Sequence, residues 1–85
     1  MENKLKQDVP IGHNLKKYRQ AVGLSQEGVA AKLQVLGLDV PQKIISEIEL
    51  GKYSIRVSVL LAFSDIYGVP VQDFFADLER YENSL

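Results

Sequence analysis

The chain has 85 residues, 46% of them hydrophobic and 25% charged, which is the mix of one small folded globular domain and not of a disordered segment. It has no cysteine and a single histidine, His13, so disulfides, thiolate chemistry and the familiar zinc ligand sets are excluded. The net charge of -1 hides a division: residues 1–60 carry nine Lys/Arg against six Asp/Glu, and residues 61–85 carry one against five. An anionic partner is therefore expected on the first part, with the acidic end turned elsewhere or simply solvated. The longest apolar run, Val59 to Phe63, is too short to span a membrane, and Met1 to Pro10 has lysines without the apolar stretch of a signal peptide. The expected location is the cytoplasm.

The expected organisation is a flexible segment at 1–9, a folded domain at 10–82 and a tail at 83–85. From Pro10 to Val22 the apolar positions Ile11, Leu15, Tyr18 and Val22 form one helical stripe, and Gly23 supplies the left-handed cap. Ser25 is a good N-cap for a second helix through Leu36, with Val29, Ala30, Leu33 and Leu36 on its apolar face. Pro41 suits the first turn of a third helix, which runs to Leu50 and is closed by Gly51. Val57 to Tyr67 is apolar on nearly all sides, as a central helix should be, and Gly68 stops it. Pro70 then opens a last helix through Phe74, Phe75, Leu78 and Tyr81. No run alternates with period two for long enough to predict a strand.

Catalytic readings find no support. No phosphate loop or Gly-x-Gly-x-x-Gly occurs, no Ser/His/Asp set has workable spacing, and Glu47 and Glu49 point to different faces of one helix. His13 lies off the apolar stripe and is expected to be a solvated surface residue. Neither an enzyme nor a cofactor, metal or small-molecule substrate is expected.

A more specific signal lies in three ordered blocks: Arg19 to Glu27 (RQAVGLSQE), Ile45 to Lys52 (ISEIELGK) and Gly68 to Phe75 (GVPVQDFF). Together they resemble the phage-repressor and Cro-like helix-turn-helix family, the xenobiotic-response-element (XRE) type, across Ile11 to about Phe75. The resemblance implies an all-α, five-helix lambda-repressor-like domain whose third helix enters the major groove of DNA, usually as a dimer on a two-fold operator. Between Leu33 and Val40 the chain is longer than the tight turn of the family, so helix two and its connector are expected to be extended.

With Ile45 and Ile48 marking the buried side of helix three, about 100° per residue puts Lys43, Ser46, Glu47 and Leu50 on the far side, and Gln42 at its exposed N-terminal edge. Any surface helix presents polar groups, but Gln can pair with adenine, Lys with guanine, and Ser with either partner type. The resemblance makes Gln42, Lys43 and Ser46 the expected base readers. Glu47 has two readings, acceptor from a cytosine amine or partner of Lys43 one turn back. Ile44, flanking the core edge, is expected in the core, with a thymine-methyl contact as its alternative. Gln26, in the first turn of helix two, is the expected phosphate clamp, with a solvated residue as its alternative. Lys52 and Tyr53 follow the reading helix and are placed for backbone contacts, Tyr53 equally for packing. At positions matching Arg19 and Glu49 the family usually forms a structural ion pair; the alternative for Arg19 is a DNA contact.

The expected function is sequence-specific binding of double-stranded DNA by a transcriptional regulator, a repressor at an operator. The rival is a protein-interaction module of antitoxin or anti-repressor type, using the same fold and its acidic end to hold a protein partner. A homodimer is expected through Leu78 and Tyr81, an i, i+3 stripe left over once Phe74 turns inward, and it would place two reading helices about 34 Å apart.

Overall fold

The computed structural model describes residues 11–76 and, as backbone, the short strand Lys4–Leu5. Four α-helices follow one another: α1 (Gly12–Ala21), α2 (Gln26–Val35), α3 (Gln42–Glu49) and α4 (Val57–Tyr67). A 3-10 helix at Val71–Phe75 ends the described chain. The all-α class agrees with the sequence, and so do most helix boundaries. Ser25 caps α2 by accepting from the Gly28 amide at 2.9 Å, Pro41 stands at the N-cap of α3, and Gly68 ends α4 with a positive φ of 69°.

The first three helices end in the same way, and that ending decides which apolar residues reach the core. Beyond each lies a glycine in the left-handed region, and the next residue's amide reaches back: Leu24 to the Arg19 carbonyl at 3.2 Å, Leu38 to Leu33 at 2.9 Å and Lys52 to Glu47 at 2.9 Å. The reversal turns the last helical residue outward. Val22 and Leu36, expected to continue their stripes, are 44% and 56% exposed, while Leu24 and Leu38 beyond the glycines fold back against the core.

That core is built from Leu15 of α1, Val29 and Leu33 of α2, Ile45 and Ile48 of α3, Val59, Leu60 and Phe63 of α4, and Phe74 of the 3-10 helix. Phe63 stacks on Tyr67 at 5.5 Å between centroids, and Phe74 meets Tyr67 and Tyr18 edge-on. α4 is less enclosed than expected, since Val57 and Leu61 are exposed.

Two further expectations need correction. The last helix does not run on from Pro70: a 3-10 helix stops at Phe75 and Ala76 is extended. Buried Asn14 of α1 explains this, because its side-chain amide donates to the carbonyls of Phe74 at 3.0 Å and Ala76 at 2.8 Å, taking acceptors that a continuing helix would use. Leu78 and Tyr81, the expected dimer stripe, lie outside the described residues. The second correction is a strand pair: β1 (Lys4–Leu5), inside the segment expected to be flexible, is antiparallel to β2 (Ile55–Arg56).

Candidate nucleic-acid interface

α3 is oriented by its inner face. Ile45 and Ile48 are 0% and 2% exposed and Ile44 packs half-buried beside them, so the opposite side of this short helix must face outward. There Gln42 and Lys43 are exposed and Ser46 and Glu47 half-buried. The connector from α2 to α3 runs through residues 36–41, longer than the three or four residues of a tight helix-turn-helix. Val40, 7% exposed, pins its end to the core.

Beyond α3, Lys52 and Tyr53 are exposed on the loop that leads to β2. A cleft of about 360 Å³ flanks the helix, with Asp39, Pro41, Ile44, Tyr53 and Arg56 on its walls. Of the two readings for Glu47, pairing with Lys43 is not realised: the ion pair among the described residues is Arg19 with Glu49.

That pair is the anchor of the site. The Arg19 guanidinium donates through Nε to Glu49 Oε2 at 2.7 Å and through Nη2 to Oε1 at 3.1 Å, a two-point contact whose third arm, Nη1, donates to the Leu24 carbonyl at 2.9 Å. Both side chains are nearly buried, 9% and 5% exposed. Hydrogen bonding to Glu49 raises the Arg19 pKa further, so the arginine is charged at every accessible pH. Tyr67 lies within the field of the pair; burial first and the Glu49 carboxylate second push its phenol well above the ordinary value.

From Glu49, at the C-terminal end of α3, the contacts run through α2 to the N-terminal tip of the same helix. Gln26 Nε2 donates to Glu49 Oε1 at 3.0 Å, and Gln42 Nε2 donates to Gln26 Oε1 at 2.6 Å. The amide of Gln26 is thus held at both ends, and it transmits the position of the buried carboxylate to the exposed tip of α3. Gln42 keeps its Oε1 and one N–H, the donor and acceptor set that the edge of adenine requires. Gln26 keeps one N–H.

From the sequence Gln26 and Gln42 have separate roles, and their hydrogen bond is not legible there. Asn14 is a further contact not singled out from the sequence, although a polar residue between Ile11 and Leu15 on the same helical stripe is a readable signal of a buried hydrogen bond. Arg56, the N-cap residue of α4, gave no signal at all.

The family model HTH_3, described as helix-turn-helix, matches residues 15–74. Among solved structures, the chain is similar to the DNA-binding domain of BldD, with 31% identity, a TM-score of 0.64 and coverage of 87% of this chain and 97% of that one. It is also similar to the restriction-modification controller protein C.AhdI from Aeromonas hydrophila, with 25% identity, a TM-score of 0.64 and coverage of 79% and 90%. A search of curated protein sequences found no match. The family match covers well over half of the chain and includes all four α-helices but the first three residues of α1, so the protein belongs to the XRE-type helix-turn-helix family.

Proposed function

We propose that the protein is a non-enzymatic transcriptional regulator that binds double-stranded DNA at a specific operator and represses from it. One observation carries this reading: the chain of contacts from Arg19 through Glu49 and Gln26 to Gln42, which fixes an amide at the exposed tip of a helix docked on its other side. An ordinary surface glutamine is not held by a buried ion pair. The likeness to a DNA-binding domain and to a controller protein supports the same reading. Gln42, Lys43, Ser46 and Glu47 are the proposed base readers, and Lys52, Tyr53 and the free N–H of Gln26 the proposed backbone contacts.

Selection of bound sites from a randomised duplex pool tests this. Gln42→Ala is expected to lose about 1–3 kcal/mol at one base pair and to relax preference there, and Gln26→Ala to relax the same position. Lys52→Ala is expected to weaken all sequences alike. Unchanged preference in both glutamine variants would remove α3 from the role of reader.

We infer also that the protein acts as a two-fold dimer on a palindromic site, with Leu78 and Tyr81 the candidate contact. Sedimentation at tens of micromolar should show a dimer that Leu78→Asp dissociates. A wild-type monomer rejects it.

A further inference from the structure

We propose that the face formed by the end of α2 and the outer side of α4 is a self-complementary contact for a second copy of this chain. It is distinct from the C-terminal contact inferred above and does not depend on whether α3 reads DNA. An open hollow separates two walls there: Lys32, Val35 and Leu36 at the end of α2, and Asp65 and Ile66 on α4. Val35 is 87% exposed and Leu36 56%, and Leu61, one turn before Asp65 on the same side of α4, is exposed too. Ile66 is half-buried and joins them to the core. The exposure has a local origin. Val35 lies on the side of α2 away from Leu33, and the left-handed turn at Gly37 holds Leu36 off the buried stripe. Single apolar side chains on a surface need no partner, but a cluster of large ones marks a contact.

Charge identifies the occupant. The α2 wall carries one cation, Lys32, and the α4 wall one anion, Asp65. Both are exposed, and the ion pair among the described residues lies elsewhere, between Arg19 and Glu49. A strongly acidic or basic partner would satisfy one of the two charges and repel the other, whereas a second copy satisfies both. With a two-fold axis along the hollow, the α2 wall of each copy meets the α4 wall of the other. Lys32 then faces Asp65 of the other copy at both ends of the contact, and Val35 and Leu36 come against Ile66 and Leu61. The patch is much smaller than the roughly 20–30 residues a side of a stable interface, so the association is weak and forms at protein concentrations well above tens of micromolar.

Sedimentation equilibrium of the full chain without DNA, at low ionic strength and from tens of micromolar to about 1 mM, the range of weak contacts, tests this. The average mass of wild type should rise toward twice that of the species present at the low end. Lys32→Glu and Asp65→Lys should each weaken this step about tenfold or more, since either reversal puts two like-charged pairs into the contact. The two reversals move net charge in opposite directions, so a loss common to both is not a net-charge effect. Leu36→Asp should abolish the step, and helical circular dichroism should be unchanged in all three. An equal mixture of Lys32→Glu and Asp65→Lys should regain the wild-type association, because the reversed side chains then face each other and the unreversed pair remains. A wild-type mass that stays constant across the whole range overturns the proposal and leaves the face to a different partner. Association that either reversal leaves unchanged overturns it as well, and so does a mixture no better than its components.

Discussion

Gly12→Ala is expected to lower stability by about 3 kcal/mol, the upper end of what overpacking costs, although the same change in a solvated helix would add roughly 1 kcal/mol. Gly12 is the first residue of α1 and is buried against the end of α3. A methyl there would stand 2.6 Å from the Glu49 carbonyl carbon and 2.7 Å from the Ile48 oxygen, and nearer still to the Glu49 oxygen. All three are backbone atoms, so no side-chain rotation relieves the overlap. The end of α3 is itself fixed by the cap bonds of Gly51 and Lys52. The two helices must therefore separate, which loosens Ile11 and Leu15 from Ile45 and Ile48 and stretches the Arg19–Glu49 contact. Gly28→Ala is the control: its methyl would meet only the Ser25 hydroxyl at 3.3 Å and the Leu24 side chain at 3.6 Å, so the change should stay within about 1 kcal/mol of wild type. Denaturant midpoints measure both. Equal midpoints for Gly12→Ala and wild type would mean that α1 and α3 are not in close contact.

Helix positions and the inner face of α3 were legible because they follow local rules. A glycine after an apolar stripe stops a helix, a serine before one starts it, and Ile45 and Ile48 one turn apart select a buried side. The errors have equally local causes. Val22 and Leu36 sit where the stripe predicts burial, but each is the last residue before a left-handed turn, and a helical projection does not hold across that turn. The continuation past Phe75 failed because Asn14, 60 residues away, takes the backbone acceptors, and no periodicity records a contact of that range. The strand pair was illegible for a simpler reason: two residues cannot show alternation. In the candidate site the residue types were readable and their connections were not. Glutamine at 26 and at 42 each look like DNA contacts, whereas their mutual hydrogen bond depends on how far the connector between α2 and α3 lets the two helix ends approach.

Arg19→Ala is expected to cost about 3–5 kcal/mol, because it leaves Glu49 charged, 5% exposed and without its cation, and frees the Leu24 carbonyl as well. Loss of stability alone would not separate a structural role from a role in recognition, since a partly unfolded protein also binds poorly. The double replacement Arg19→Met with Glu49→Leu does separate them. Apolar residues of similar volume commonly replace a buried pair with little loss, so this variant should recover most of the denaturant midpoint that Arg19→Ala loses, held below wild type by the freed Leu24 carbonyl. It nevertheless removes the carboxylate on which Gln26 is held, and with it the link that fixes Gln42. A fixed donor and acceptor reads a base edge, and a freely rotating amide accepts several; the double variant should therefore fold normally, keep its backbone affinity and show a flattened preference at the base pair proposed for Gln42. Site selection with this variant decides between the two roles. Wild-type preference in a folded Arg19→Met, Glu49→Leu protein would reduce the ion pair to a clamp between α1 and α3, and Gln42 would then owe its position to its backbone alone.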